Sequence, residues 1–124
     1  MPGAGLNIVR RIRAILGPDA PVESGAGGLP RVTPRSEDAL ALVLQAASAE
    51  GWRVRIEGAA TWMPADAPAD LALSTRGLSA LVHLSAADLV ATAQAGMTWD
   101  ELRRALADQG TWLAADPPGG GGRT

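Results

Sequence analysis

Apolar residues near the start of the chain recur every three or four positions, as one face of an α-helix requires. Arginines occupy the opposite face, and Gly17-Pro18 ends the pattern. The spacing predicts an amphipathic helix whose apolar face is Ile8, Val9, Ile12, Ile15 and Leu16. We interpret it as a helix that docks on the domain. A membrane-surface or organelle-targeting helix is the alternative, because its polar face is basic.

A second helix is predicted from Ser36, a typical N-cap, to Gly51, with Glu37 and Asp38 in its first turn. Before it, residues 23–30 are rich in glycine and predict a flexible connection. Arg31-Val-Thr-Pro then predicts a short extended piece. Its proline favours an edge strand or the end of a strand.

Alternation in Trp52-Arg-Val-Arg-Ile predicts a strand, followed by a loop from Gly58 to Ala69. Short strands are predicted at 71–74, 80–84 and 88–95, and Trp112-Leu113 opens a last one. Thr98 and Glu101 form a T-x-x-E capping box for a helix over 98–109. This order predicts an α+β fold with small mixed sheets and packed helices rather than a regular doubly wound one.

Composition and charge narrow the function classes. The 124 residues carry a net charge of −2, so they show no electrostatic footprint for nucleic acid. The absence of cysteine excludes disulfides, thiolate metal sites and cysteine nucleophiles. No apolar run reaches the roughly 18 residues of a membrane span, and we expect a cytoplasmic protein. The lone His83 in a predicted strand is interpreted as a structural or surface residue.

Two segments are candidates for binding an anion. The first follows a predicted strand and consists of Gly58, Ala59, Ala60, Thr61 and Trp62. Small residues there let backbone N–H groups approach phosphate oxygens, and the threonine hydroxyl adds a donor. An ordinary strand-to-loop turn is the alternative.

The second candidate is Asp116-Pro-Pro-Gly-Gly-Gly-Gly-Arg-Thr124, in which the glycines allow close approach of backbone and Arg123 suits an anion. A frayed tail is the alternative. We expect residues 119–124 to be poorly fixed, since four successive glycines carry high backbone entropy. The chain ends inside this loop, which suggests that it stops within a domain.

Several blocks in the same order resemble a known family. They are Pro30-Arg-Val-Thr-Pro-Arg-Ser-Glu-Asp, Val54-Arg-Ile-Glu-Gly-Ala-Ala-Thr, Asp70-Leu-Ala-Leu-Ser-Thr-Arg-Gly-Leu, Asp88-Leu-Val-Ala-Thr-Ala-Gln-Ala-Gly-Met-Thr and Gly110-Thr-Trp-Leu-Ala-Ala-Asp-Pro-Pro. Residues 30–124 resemble the N-terminal FAD-binding domain of FAD-linked oxidases of the vanillyl-alcohol oxidase and p-cresol methylhydroxylase type, and most closely the FAD-binding subunit of glycolate oxidase. Residues 1–22 are then an N-terminal amphipathic helix and linker. Residues 28–124 are the first part of a PCMH-type FAD-binding domain, incomplete at its C-terminus.

The resemblance also implies which residues bind the cofactor. The pyrophosphate loop falls on Gly58, Ala59, Ala60, Thr61 and Trp62. The second FAD loop begins at Asp116, Pro117 and Pro118, and Thr124 matches the threonine of its T-x-G-G sequence. Relatives that hold FAD covalently carry a histidine in the first loop. This chain has none there, so the resemblance implies non-covalent FAD.

The implied activity is oxidation of an alcohol or a 2-hydroxy acid by hydride transfer to flavin N5. The substrate would bind through the region C-terminal to Thr124, other oxidase subunits are candidate partners, and no residue here is assigned as catalytic or as a metal ligand. We expect the 124-residue chain alone to be inactive and to bind FAD weakly or not at all. The alternative is a non-catalytic truncated fragment or interaction module that has lost FAD binding. It is favoured by Ala59 and Ala60, which stand where the family usually has glycine.

Overall fold

The computed structural model describes residues 2–59, 67–115, 118 and 121–124, and it has the predicted α+β architecture. Its elements, in chain order, are α1 (Pro2–Leu16), β1 (Val22–Ser24), β2 (Pro30–Val32), α2 (Glu37–Glu50), β3 (Val54–Glu57), β4 (Leu71–Ser74), β5 (Leu81–Ser85), β6 (Val90–Ala93) and α3 (Trp99–Asp108). Short 3₁₀ turns occupy Ala26–Gly28 and Thr75–Gly77.

The strands form two separate sheets. The larger has the order β1-β2-β4-β3, in which β4 pairs in parallel with β2 and β3, while β1 pairs antiparallel with β2. The smaller is the antiparallel hairpin β5–β6. Because β3 and β4 are parallel, the residues that follow them, Gly58 and Thr75, emerge at the same edge of the sheet.

The hydrophobic core covers one face of the larger sheet. The register places Val22, Val32 and Leu73 in one row across β1, β2 and β4, so these side chains share a face. Helices α1 and α2 cover it, and the buried cluster is Ile8, Ile12, Val22, Val32, Val43, Leu71 and Leu73. The burial of Ile8 and Ile12 confirms that the first helix docks on the domain.

The opposite face of the same sheet is polar and tightly paired. Arg31 and Arg55 lie on either side of Ala72 in the register. The Glu57 carboxylate is buried between them, 2.6 Å from Arg31 Nε and 3.3 Å from Arg55 Nε. Two guanidinium groups thus compensate the charge of a carboxylate that could not be buried alone without a large cost. This network holds the last residue of β3, directly before Gly58.

Both later helices begin where the sequence predicts them. Ser36 Oγ accepts a hydrogen bond from the Ala39 N–H at 3.1 Å, and Gly51 ends α2 with a positive φ of 70°. The predicted capping box at Thr98 and Glu101 is present at the start of α3. These caps are local interactions, so they can be read from a few neighbouring residues.

Pro34, the proline of the predicted extended piece, follows the end of the inner strand β2, as the strand-end alternative predicts. Two predicted features are wrong. The supposed flexible connection over 23–30 contains part of β1 and a 3₁₀ turn, because Glu23 and Ser24 pair with Arg31 and Pro30. Trp112-Leu113 does not form a strand: the Trp112 side chain is 81% exposed.

Candidate functional site

The carboxyl ends of β3 and β4 meet at one point. Gly58 and Ala59 follow β3, and Thr75 starts the 3₁₀ turn after β4. The Thr75 hydroxyl lies 3.4 Å from the Glu57 carbonyl oxygen and 3.5 Å from that of Ala95, so one hydroxyl lies between two backbone segments. Carboxyl ends of parallel strands are where ligands bind in open α/β sheets.

The two predicted anion-binding segments come together at this edge. The Ala59 N–H donates a hydrogen bond to Thr124 Oγ1 at 2.9 Å. A Cβ atom at Gly58 would overlap the same hydroxyl oxygen, so a larger residue there would displace the Thr124 side chain. The structure thus places Thr124 beside Gly58 and Ala59, which are far from it in the sequence.

Of the other predicted site residues, the structure describes only Pro118, which is exposed in a turn. Five predicted site residues lie outside the described residues: Ala60, Thr61, Trp62, Asp116 and Pro117.

The backbone at Ala59 is unstrained. Leu89 is the only non-glycine residue with positive φ in the described part of the chain, so Ala59 is not in the left-handed region. Alanine is therefore compatible with the backbone at a position where the family usually has glycine. The alanine at position 59 therefore gives no support to the alternative of a fragment that has lost FAD binding.

The end of the second segment is held by the first turn of α3. The Trp99 N–H donates to the Arg123 carbonyl oxygen at 2.8 Å, and the Asp100 N–H donates to that of Gly121 at 3.0 Å. Gly121 and Arg123 supply acceptors that the N–H groups at a helix start need and the helix cannot provide. That residues 119–124 are poorly fixed stays a prediction. Residues 119 and 120 lie outside the described residues.

Gly96 joins the hairpin to the larger sheet. Its N–H donates to the Leu78 carbonyl oxygen at 2.8 Å, and a Cβ atom there would overlap the carbonyl oxygens of Thr75 and Leu78. Sequence reasoning missed Thr75 and Gly96 as contributors to this edge, while Gly121 belongs to the glycine run that the sequence predicts to allow close approach. Thr75 had a usable signal, since it directly follows the strand Leu71–Ser74, whereas Gly96 had none.

Other chemistry is not supported in the described part of the structure. His83 is exposed on β5, as expected of a surface residue. No group of three or more potential metal-ligating side chains occurs among the described residues. The helices in those residues are also too short or too polar for one of them to cross a membrane.

Comparison with known proteins adds the family and the fold. Residues 29–123 match the family described as FAD binding domain. An alkyldihydroxyacetonephosphate synthase structure superposes with a TM-score of 0.76 at 17% identity, over 95% of this chain and 28% of that one. p-Cresol methylhydroxylase with substrate bound gives 0.69 at 12% identity, over 87% of this chain and 25% of that one.

A further structure is GilR, an oxidoreductase that catalyses the terminal step of gilvocarcin biosynthesis. It gives a TM-score of 0.57 at 25% identity, over 71% of this chain and 18% of that one. The search of curated proteins found no match. The chain spans less than a third of the length of each of these structures.

Proposed function

Because the chain belongs to the FAD binding domain family of FAD-linked oxidoreductases, we propose that it binds the diphosphate of FAD non-covalently at the carboxyl ends of β3 and β4. The observation that carries this proposal is the hydrogen bond from the Ala59 N–H to Thr124 Oγ1. It joins the two segments, 58–62 and 116–124, that the family resemblance implies for FAD.

The donor set at this edge suits a diphosphate. A threonine hydroxyl has one O–H donor and two acceptor lone pairs. Since Thr124 Oγ1 accepts from Ala59, its proton remains available for a phosphate oxygen, and accepting one hydrogen bond polarises the hydroxyl as a donor. Backbone N–H groups at such a turn and a hydroxyl are typical partners of phosphate oxygens.

We further propose that the complete protein oxidises an alcohol or a 2-hydroxy acid, in the manner of the glycolate oxidase FAD-binding subunit. The support is the ordered resemblance of residues 30–124 and the oxidoreductases with the same fold. FAD when bound supplies the hydride acceptor. This chain positions the diphosphate, and other oxidase subunits in the cytoplasm are its proposed partners.

The test is a titration of the ¹⁵N-labelled chain with FAD into the millimolar range, followed by amide chemical shifts. We expect saturable shifts at Gly58, Ala59 and Thr124, with ADP shifting the same amides and riboflavin leaving them unchanged. Affinity should be weaker than micromolar, since the chain corresponds to 28% of a related structure.

A matched pair of threonine variants tests the role of the hydroxyl. Thr124→Val removes it and should weaken FAD binding about tenfold or more, because hydrogen bonds to charged groups are stronger than neutral ones. Thr92→Val, on the exposed strand β6, should bind like the wild type. No saturable shift, or shifts away from this edge, would instead favour an interaction module that has lost FAD binding.

A further inference from the structure

We propose that the first turn of α3 is a positioning device for the FAD diphosphate: it clamps Gly121–Arg123 and thereby holds Thr124 against Ala59. The proposal rests on the proposed function and adds positioning residues to the two FAD segments. Thr98 and Glu101 lie outside these segments, and Gly121 lies within the second one.

The clamp follows from how α3 satisfies its first four N–H groups. In the capping box, the Thr98 N–H donates to Glu101 Oε2 at 2.7 Å, and the Glu101 N–H donates to Thr98 Oγ1 at 3.2 Å. The two N–H groups between them, of Trp99 and Asp100, donate instead to the carbonyl oxygens of Arg123 and Gly121. The capping box therefore supplies acceptors for the N–H groups of Thr98 and Glu101. The second loop supplies them for the two N–H groups between these residues, so that each of the four has an acceptor.

The loop comes close to the helix at Gly121. A Cβ atom there would overlap the carboxylate of Asp100, which lies in the first turn of α3. At the neighbouring Gly122 a Cβ atom would meet no heavy atom within 4 Å. The two adjacent glycines thus differ in one respect, the close approach to α3.

The clamp acts on the site through a short path. The Arg123 carbonyl oxygen is held at 2.8 Å from the Trp99 nitrogen, and Thr124 is the next residue. Thr124 Oγ1 in turn accepts from the Ala59 N–H. A shift of the loop away from α3 therefore moves the hydroxyl away from the first FAD segment.

The experiment compares Gly121→Ala with its neighbour Gly122→Ala. Gly121→Ala should weaken FAD binding about tenfold, the size expected for one lost hydrogen bond to a charged group. It should also move the Ala59 amide resonance of the FAD-free chain toward its position in Thr124→Val, and increase hydrogen exchange at Trp99 and Asp100. Gly122→Ala should match the wild type in all three measurements.

A second pair tests the helix side of the clamp. Glu101→Ala should move the Ala59 resonance in the same direction as Gly121→Ala, while Glu101→Gln should restore it, since glutamine also completes a capping box. Thermal unfolding of both Glu101 variants should remain cooperative, which would show that the core is still folded when the resonance shifts.

The outcomes separate the two proposals. Equal Ala59 resonances and equal exchange in Gly121→Ala and Gly122→Ala, together with an unchanged Ala59 resonance in Glu101→Ala, would overturn the clamp, whether or not FAD binds. A perturbed Ala59 resonance in Gly121→Ala, in a chain whose wild type shows no response to FAD, would support the clamp and overturn the proposed function. If Gly121→Ala fails to fold, the Glu101 pair decides by the Ala59 resonance.

Discussion

The two halves of the molecule are held together by different means. The first, α1 to β4, has a cluster of seven buried apolar residues between two helices and a sheet, counted among its described residues. The second, β5 to the end of α3, buries Leu106 but exposes Val82, Leu89 and Val90. It is attached to the turn after β4 by hydrogen bonds at Gly96 and Ala95, and the start of α3 holds the C-terminal segment that contacts Ala59.

This difference shows that the proposed FAD site lies on a junction rather than in a core. Its contacts are hydrogen bonds and close approaches of glycine backbone. Their strength depends on how accurately the backbone segments are placed rather than on how much apolar area they bury. A two-stranded hairpin is marginal on its own in water. The second half therefore depends on the first for its place, whereas the first half has its own core.

The largest effect should come from the core of the first half. Leu73→Ala removes a side chain that is 1% exposed and should lower the free energy of unfolding by about 2–5 kcal/mol, because it leaves a cavity. Val82→Ala, on β5 of the second half at a residue that is 61% exposed, should cost less than about 0.5 kcal/mol. Urea unfolding measures both, and equal losses would contradict the division into a packed and an open half.

The junction should be the next most sensitive place. Gly96→Ala would force a Cβ atom onto the carbonyl oxygens of Thr75 and Leu78, and should cost about 1–3 kcal/mol, as overpacking typically does. Gly3→Ala, in α1 with open space around it, should stabilise the chain by about 0.5–1 kcal/mol. Thermal unfolding of the two variants should therefore shift in opposite directions.

The smallest effect should come from an exposed ion pair at the opposite end of β3 and β4. Asp70 accepts hydrogen bonds from the Arg53 side chain, at 2.9 and 3.0 Å, and from its N–H. These bonds lower the pKa of Asp70 from 3.8 to about 2. A depressed pKa stabilises the fold above the unfolded-state value and loses that effect as pH falls through the folded-state value.

Asp70→Asn should therefore be slightly less stable than the wild type at neutral pH, with the gap closing as pH falls from about 4 to 2. The effect is small because solvent screens the pair. Urea midpoints over this pH range measure the gap. A gap that stays constant would mean that the carboxylate charge contributes nothing.

Local signals explain which parts of the fold were predictable. The starts of α2 and α3 are marked by Ser36 and by the Thr98–Glu101 box, whose partners lie three residues away. β1 carries no such mark, because its partner residues on β2 lie six or more positions along the chain in a glycine-rich stretch. Its pairing is decided by tertiary packing, which overrides local composition.

The candidate site divides in the same way. Gly58 and Ala59 could be found because they follow an alternating strand, and Thr124 because it matches a family sequence. Gly96 could not, because a glycine required for close approach looks like any loop glycine until its neighbour is known. The run that contains Gly121 is predicted to allow close approach, but its partner, the first turn of α3, is not predicted. The residues that hold such a junction are those whose partners are distant in sequence.

The hydrogen bond between Ala59 and Thr124 also has a consequence for the timing of biosynthesis. Its two partners are 65 residues apart, so the second is synthesised well after the first. At translation rates of about 5–20 residues per second, the interval is roughly 3–13 s. During that interval the first loop exists without its partner hydroxyl. The pairing can therefore form only after the sheet, both earlier helices and the hairpin have been translated.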